Sequence, residues 1–192
     1  MKKGKIIFLN GVSSAGKTTL AKVLQSRLAE PFYLISRDVF CEMEPKKFLE
    51  INLDKTRGTA LTGLHHNIKT LSDIGINVIV DHVLLKEQGS AYNITGLSNM
   101  EECVSLLHGH DVLFVLVVCP LDEQQRREQL RGDRRIGQGE SQLPRLSPQD
   151  TYDITADTFH EPIEICADRI IDLLDCPERH TAFQTLWSQI QQ

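Results

Sequence analysis

Residues 5–29 read KIIFLNGVSSAGKTTLAKVLQSRLA, and this stretch decides the fold of the 192-residue chain. The apolar run at 6–9 predicts a buried strand, and Leu and Val side chains at helical spacing after Thr19 predict an amphipathic helix. Between them, residues 11–18 match the pattern G-x-x-x-x-G-K-[ST]. A strand, a glycine-framed loop and a helix in this order form the context that a phosphate-binding loop (P-loop) requires.

The loop sequence predicts a cradle for the phosphates of a nucleoside triphosphate. Backbone N–H groups and the positive N-terminal end of the helix would point into one concavity. Gly11 and Gly16 permit backbone angles and close approaches that a Cβ would block. Lys17 would reach the β- and γ-phosphates, the Thr18 hydroxyl would bind Mg²⁺, and Thr19 would contact the α-phosphate. We therefore expect nucleotide contacts along the whole loop: Gly11, Val12, Ser13, Ser14, Ala15, Gly16, Lys17, Thr18 and Thr19.

Length and composition are typical of a single α/β domain, and we predict one P-loop domain over residues 1–192. A formal net charge of −5 argues against a broad basic surface for nucleic acid or for an anionic membrane. The longest apolar run, 112–118, is far too short to span a bilayer. Five scattered cysteines without a C-x-x-C pair predict free thiols and a cytoplasmic protein.

Strand and helix patterns alternate along the rest of the chain. Further strands are predicted at 32–36, 77–84 and 112–118, with a weaker one at 152–158. Helices are predicted at 59–74, 98–109, 121–131, 163–174 and 182–190, with an irregular helix at 38–50 and a polar loop at 52–58. This alternation predicts an α/β fold: a five-stranded parallel sheet covered by helices on both faces, with an arginine-rich lid at about 132–149. Ligands should bind at the carboxyl ends of the strands.

Two aspartates follow predicted strands and should therefore lie at that edge. Asp38, just after the second strand, is a candidate to accept a proton from an acceptor hydroxyl. It would serve equally well as the N-cap of the next helix. Asp81 ends the third strand and is a candidate Mg²⁺ ligand, with a strand-end cap as the alternative.

Arginines follow the fourth strand in two groups. Arg126 and Arg127 stand four residues after Asp122 and Glu123, so a solvated helix face explains this pair. The second group lies beside glycines, where a mobile lid would deliver guanidinium groups to phosphate, although an ordinary basic loop is the alternative. This group consists of Arg131, Arg134 and Arg135.

The remaining polar residues receive structural interpretations. We predict that His65 and His66 are surface or packing residues, and that His82 is a solvated or packing histidine. Thr158 and Glu161 stand before a predicted helix with the spacing of a capping box.

A P-loop occurs in several classes of protein, and other motifs and the chain length distinguish among them. The chain contains no N-K-x-D tetrapeptide, which argues against a GTPase, and it is too short for the accessory domains of a motor. Phosphoryl transfer to a small acceptor remains. A nucleoside or nucleotide kinase is an alternative, because lysines and an arginine at 46–69 could hold a phosphate on the acceptor. A nucleotide-sensing interaction protein with vestigial catalysis is another.

With these residues placed, the chain resembles the chloramphenicol phosphotransferase family of P-loop kinases. The resemblance is carried by the opening segment 7–17, by Asp38, by VIVDHVLL at 78–85, by the lid segment 131–137 and by a C-terminal signature within 152–166. The sequence differs from the family pattern at His82, where a second acidic residue is expected, and in the stretch between Asp38 and the third strand.

The resemblance implies transfer of the γ-phosphate of ATP to a hydroxyl of a small molecule, with Asp38 as the catalytic base, and it implies a role in antibiotic resistance. Lys17 would hold the triphosphate, Thr18 and Asp81 would hold Mg²⁺, and Arg134 would close over the phosphates together with Arg131 or Arg135. We expect no nucleic acid or membrane partner.

Overall fold

The computed structural model describes residues 2–86, 97–132 and 136–191. Within these ranges five strands form one sheet in the order β2-β3-β1-β4-β5, and every pairing is parallel. The strands are β1 (Ile6–Asn10), β2 (Tyr33–Ser36), β3 (Val78–His82), β4 (Val112–Val118) and β5 (Ile154–Asp157). The predicted five-stranded parallel sheet is therefore confirmed.

Helices connect the strands and cover the sheet. They are α1 (Lys17–Arg27), α2 (Arg37–Glu42), α3 (Lys46–Ile51), α4 (Leu53–Asp73), α5 (Asn99–Leu107), α6 (Leu121–Arg131), α7 (Gln138–Gln142), α8 (Ile163–Leu174) and α9 (Ala182–Ile190). Short 3₁₀ turns lie at Leu143–Arg145, Gln149–Thr151 and Pro177–Arg179. No helix in the described ranges is both long enough and apolar enough to cross a membrane.

Both faces of the sheet are buried, which explains why β4, and β1 as far as Leu9, are continuously apolar rather than alternating. On one face, Ile6 and Phe8 pack with side chains of α4, α5 and α9. On the other face, Ile7 and Leu9 pack with side chains of α1 and α8. The central position of β1 fixes the P-loop, because both neighbouring strands hold the strand that leads into it.

The region between β2 and β3 differs from the sequence prediction. The predicted polar loop at 52–58 is wrong, because α4 begins at Leu53. The Asn52 side chain caps this helix by accepting a hydrogen bond from the Lys55 N–H at 3.0 Å. The irregular helix predicted at 38–50 is two short helices, α2 and α3, with Pro45 as the N-cap of the second. The first turns of α4 bury little surface, so they show no apolar periodicity in the sequence. The start of the helix is defined by the Asn52 cap instead.

Asn10 joins three parts of the fold at the carboxyl end of β1. Its amide oxygen accepts from Gly11 N–H at 3.0 Å and from Leu84 N–H at 2.7 Å. Its amide nitrogen donates to the Leu84 carbonyl and to the Tyr152 hydroxyl, each at 2.9 Å. The side chain is fully buried, and it fixes where the P-loop starts relative to the chain after β3.

We expect Asn10→Ala to lower the free energy of unfolding by about 2–4 kcal/mol, because it leaves several buried polar groups without partners. Urea unfolding of the two proteins measures the difference. Asn67→Ala is the control, because this exposed position on α4 also loses an amide. Equal urea midpoints for Asn10→Ala and the parent protein would show that the network contributes no stability.

Candidate active site

The P-loop requires its two glycines because neighbouring strands and loops crowd them. Gly16 adopts φ +100°, and a Cβ there would lie 2.7 Å from the Thr158 hydroxyl. A Cβ on Gly11 would lie 2.3 Å from the carbonyl oxygen of Val117 on β4. Any side chain at either position would displace the loop from the sheet edge.

Ser14, between these glycines, holds a backbone conformation that is uncommon for a residue with a side chain. Its φ is 61°, in the left-handed region. Its buried hydroxyl has no hydrogen-bond partner in the described part of the chain. Such a conformation costs on the order of 1 kcal/mol and persists where the surrounding structure imposes it. This conformation turns the backbone just before the first turn of α1. The N–H groups of that turn have no carbonyl within the helix to which they can donate.

Lys17 begins α1 and is buried against the loop that precedes it. Its ammonium group donates to the carbonyl oxygens of Gly11 at 3.0 Å and Val12 at 2.9 Å. These contacts hold the positive charge at the mouth of the loop.

Thr18 and Asp81 meet at the edge of the sheet, as their predicted role requires. The Thr18 hydroxyl donates to the Asp81 carboxylate at 2.5 Å, so this aspartate contacts α1 rather than only capping a local turn. Mg²⁺ prefers hard oxygen ligands and is commonly held by one or two protein groups together with substrate phosphates. This hydroxyl and carboxylate fit such a site. The described residues contain no cluster of three or more His, Cys, Asp or Glu side chains that would hold a metal ion without a ligand's help.

Asp38 lies in the first turn of α2, but it is not the N-cap. Ser36 is the cap, and its hydroxyl accepts from the Asp38 N–H at 3.2 Å. The Asp38 carboxylate lies at the cavity wall, where its side chain is 46% exposed and 3.9 Å from the Arg37 guanidinium. The structure thus favours the cavity position over the capping alternative.

One cavity of about 610 Å³ brings these groups together. It is lined by the P-loop, by Asp38 and by Asp81, and its size suits a nucleotide-sized ligand. Among the described residues, its wall carries more cations than carboxylates, which favours a polyphosphate. The cations are Lys17, Arg37, Arg127 and Arg131, and the carboxylates are Asp38, Asp81 and Glu161.

Arg127 is a cavity residue that the sequence interpretation missed. It pairs with Glu123 at 2.7 Å, as the helical spacing predicted. It also donates to the Thr158 hydroxyl at 3.2 Å and to the Ser14 carbonyl at 3.4 Å. The solvated-face interpretation is therefore wrong for Arg127, although it holds for Arg126, whose side chain is 60% exposed. Hydrogen bonds from Arg126 and Arg127 lower the pKa of Glu123 to about 2.

Thr158 serves the P-loop and does not cap α8, so the predicted capping box is wrong. Its hydroxyl donates to the Ala15 carbonyl at 2.6 Å. The N-cap of α8 is Pro162, which has no side-chain hydrogen bond to the helix. The capping pattern misled because it cannot reveal that β5 ends beside the P-loop.

The part of the predicted lid at 137–142 is held against α6 and the P-loop. Both oxygens of the buried Glu128 carboxylate accept backbone N–H groups, from Gly137 and Gly139, each at 2.8 Å. The Gln142 side chain accepts from the Ser13 N–H at 2.7 Å. Arg131 lines the cavity, whereas the predicted phosphate-binding residues Arg134 and Arg135 lie outside the described residues.

The histidines divide between core and surface. His65 and His82 are buried, whereas His66 is exposed. His82 is among the residues that line the cavity, beside Asp81.

A second, more apolar cavity lies among α2, α3 and α4, with Phe40, Met43 and Phe48 in its wall. Within the described part of the chain, the two cavities share no lining residue. Residues two apart on a helix point to opposite sides, so Phe40 faces away from Asp38 across α2. This groove is therefore separate from the P-loop cavity.

Comparison with known proteins agrees with this arrangement. A Mycobacterium tuberculosis protein that carries the provisional name of an O-phosphotransferase is 26% identical over 187 residues, covering 85% of this chain and 79% of that protein. The structure of Mycobacterium tuberculosis APS kinase in complex with AMPPNP and APS matches with a TM-score of 0.67 at 20% identity, covering 91% of this chain and 99% of that chain. A gluconokinase from Sinorhizobium meliloti matches with a TM-score of 0.63 at 15% identity, covering 95% and 98%.

At these identities the two solved structures establish the fold, which is that of the P-loop kinases. The family described as chloramphenicol phosphotransferase-like protein matches residues 4–175, which is most of the sequence. The chain therefore belongs to the chloramphenicol phosphotransferase-like family.

Proposed function

We propose that this protein is an ATP-dependent kinase that transfers the γ-phosphate to a hydroxyl of a small molecule. The observation that carries the proposal is that the P-loop, the Thr18–Asp81 pair and Asp38 line one cavity. A phosphoryl donor and a proton acceptor are the two components that this transfer requires. Family membership and the kinase fold support the same class of reaction.

The nucleotide would lie with its triphosphate in the P-loop. The β- and γ-phosphates would lie along residues 11–19, where the backbone N–H groups at the start of α1 and the Lys17 ammonium group would bind them. The Arg127 guanidinium, which contacts Ser14 and Thr158, would add positive charge beside the phosphates. Thr18 and Asp81 would hold Mg²⁺, which when bound neutralises charge on the phosphate oxygens.

In the proposed transfer, Asp38 orients the acceptor hydroxyl and accepts its proton. The acceptor oxygen forms a bond to the γ-phosphorus while the bond between that phosphorus and the bridging oxygen breaks, so ADP leaves with the bond's electron pair. Lys17 and the cavity arginines stabilise the charge on the moving phosphoryl group. Most of the rate enhancement would come from this positioning and charge stabilisation, without a covalent enzyme intermediate.

We assign the whole chain, residues 1–192, to one kinase domain with a lid at about 132–149. Arg134, with Arg131 and Arg135, would close over the phosphates from this lid. We propose a cytoplasmic location, because the substrates would be ATP and a small molecule.

Arg126 and Arg127 offer a matched pair of variants, because both bind Glu123 and only Arg127 lines the cavity. We expect Arg127→Ala to raise the KM for ATP roughly tenfold, since a hydrogen bond to a charged group contributes about 1.5–3 kcal/mol. Arg126→Ala should leave the KM within about twofold, because surface ion pairs contribute little. Steady-state kinetics with varied ATP measures both values. Equal KM values for the two variants would remove Arg127 from the nucleotide site.

The proposed function is tested by ADP release from ATP with a panel of candidate acceptors: chloramphenicol, gluconate, shikimate, adenosine and adenosine monophosphate. We expect one alcohol to stimulate ADP release and to yield a phosphate ester detectable by mass spectrometry. Stimulation by adenosine or its monophosphate alone would favour a nucleoside or nucleotide kinase. Tight ATP binding with no acceptor-stimulated turnover, even with metabolite extract, would favour a nucleotide-sensing protein and contradict the proposal.

A further inference from the structure

Arg37 lines the P-loop cavity with a guanidinium group that no carboxylate in the described ranges binds directly. Within those ranges its one ion-pair contact is with Asp38 at 3.9 Å, which is too long for a hydrogen bond. Other arginines of the described chain donate hydrogen bonds to carboxylates: Arg27, Arg57, Arg126, Arg127 and Arg169. The Arg37 guanidinium therefore keeps its donors for another partner.

Most of the Arg37 side chain is buried, and 21% of it is exposed. None of its nitrogens is among the buried, unpartnered polar atoms of the described residues, so the guanidinium group keeps contact with solvent. A guanidinium group presents five N–H donors in a rigid fork, and the fork matches the two oxygens of a carboxylate. Because the rest of the side chain is already held by its surroundings, binding an anion here would cost little side-chain entropy.

The position of Arg37 along the edge of the sheet decides which ligand it would meet. Arg37 follows β2 on one side of the P-loop strand, whereas Arg127 and Thr158 lie on the other side, after β4 and β5. Asp38, the proposed base, lines the cavity next to Arg37. The acceptor hydroxyl would lie at Asp38, so Arg37 would face the acceptor and not the nucleoside.

The charges on this side of the cavity favour a carboxylate over a phosphate group. Among the described lining residues that follow β2 and β3, Arg37 is the only arginine or lysine, and Asp38 and Asp81 are the carboxylates. Mg²⁺ would offset Asp81. A phosphate group on the acceptor would then bring nearly two negative charges to one guanidinium group beside Asp38. A carboxylate brings one, and the guanidinium fork can bind both of its oxygens.

We propose that Arg37 binds a carboxylate of the acceptor, and that the acceptor is a small hydroxy acid whose reacting hydroxyl lies at Asp38. The inference rests on the proposed kinase function and deepens it by naming the substrate class. A neutral alcohol of the same size would forgo the charge-assisted hydrogen bonds to Arg37, so the enzyme should discriminate against it.

Pairs of acceptors with and without a carboxylate test the substrate class. The pairs are glycerate with glycerol, gluconate with glucitol, and shikimate with its methyl ester. Adenosine monophosphate with adenosine is the corresponding phosphate pair. In assays of ADP release with saturating ATP, we expect the parent protein to use one acid with a kcat/KM at least about tenfold above that of its neutral partner.

Two variants of Arg37 then test the residue. Arg37→Gln removes the charge and should raise the KM for the preferred acid about 10- to 150-fold, with kcat within about threefold and the ATP KM within about twofold of the parent. The neutral partner should keep its parental kcat/KM. Arg37→Lys keeps the charge without the fork and should give an intermediate rise. Arg27→Gln is the control, because Arg27 ends α1 outside the cavity wall and should leave these values unchanged.

Several results would overturn the inference while leaving the kinase assignment intact. Equal use of the acids and their neutral partners, or turnover of neutral alcohols alone, would exclude carboxylate recognition. An equal fall in kcat for both partners without a change in KM would mean that Arg37 acts only by holding Asp38. A rise in the ATP KM alone would assign Arg37 to the nucleotide, and turnover of adenosine monophosphate without any acid would replace the carboxylate by a phosphate. Failure of the parent protein to release ADP with any acceptor overturns the kinase proposal itself.

Calorimetric titration gives a readout that does not depend on turnover. With the full chain saturated with AMPPNP and Mg²⁺, the preferred acid should bind the parent and Arg27→Gln alike, and Arg37→Gln at least about tenfold more weakly. Melting curves of the same complexes verify that each variant is folded. Equal affinities of the parent and Arg37→Gln for the acid would overturn the inference.

Discussion

Lys17→Ala should weaken ATP binding by about 10- to 150-fold and reduce turnover by a further factor of about a hundred or more. The affinity loss follows from removing charge-assisted hydrogen bonds, which contribute about 1.5–3 kcal/mol each. The turnover loss follows because the same ammonium group would stabilise charge on the phosphoryl group in the transition state, an effect of about 3–4 kcal/mol for comparable donors. Equilibrium binding of a fluorescent ATP analogue and steady-state ADP release measure the two effects separately.

The substitution also removes the two hydrogen bonds from Lys17 to the carbonyls of Gly11 and Val12. A melting curve must therefore show that the variant is folded at the assay temperature. Lys22→Ala is the matched control, because Lys22 lies on the same helix and its side chain is exposed. Near-parental affinity in Lys17→Ala would mean that the triphosphate is not bound by this loop.

Asp38→Asn should reduce kcat by about 10²- to 10⁴-fold while the affinity for ATP changes by no more than about twofold. The amide keeps the size of the carboxylate but cannot accept the proton of the acceptor hydroxyl. The affinity should survive because the half-exposed Asp38 side chain lies on the cavity wall beside Arg37, whereas the P-loop and Lys17 would hold the triphosphate. Single-turnover kinetics with saturating ATP isolates the transfer step from binding.

Glu42→Gln is the control for Asp38→Asn. It makes the same change of charge one turn further along α2, at an exposed position outside the cavity wall. We expect its kcat to stay within about twofold of the parent value. If Asp38→Asn retained most of the parental kcat, Asp38 would not be the base, and another cavity carboxylate would have to take that role.

The fold could be predicted from sequence wherever local pattern and global packing agree. The glycine-framed loop between an apolar strand and an amphipathic helix predicts β1, the P-loop and α1. The bounds of β4, α6, α8 and α9 also coincide with the predicted ones. In β4, α8 and α9 a run or periodicity of apolar residues directly records which face is buried, whereas α6 buries polar side chains and is bounded by Pro120 and Gly132.

Parts of the candidate site could not be read from the sequence because they depend on contacts between distant residues. Thr158 contacts Ala15 across 143 positions, and Arg127 contacts Ser14 across 113. For both residues, a satisfying local explanation existed, a capping box for Thr158 and an i,i+4 ion pair for Arg127. Arg127 makes both the predicted ion pair and the cavity contacts, whereas the capping pattern at Thr158 does not form.

Three buried residues that contact one another show the same dependence on distant contacts, here without any local pattern to suggest another role. Nothing in the spacing of His65, His82 and Glu102 marks them as partners, because they lie on three elements that only the finished sheet brings together. Asp81, in contrast, was predictable, because a carboxylate that ends an apolar strand next to the P-loop strand must lie at the ligand-binding edge.

The most direct test of the central claim is calorimetric titration of the full chain with AMPPNP in the presence of Mg²⁺. We predict saturable binding of one nucleotide per chain, weakened when Mg²⁺ is withheld because Thr18 and Asp81 then lose the ion that they would share with the phosphates. Absence of binding heat with AMPPNP at several temperatures, with no displacement of a fluorescent ATP analogue, would contradict the account.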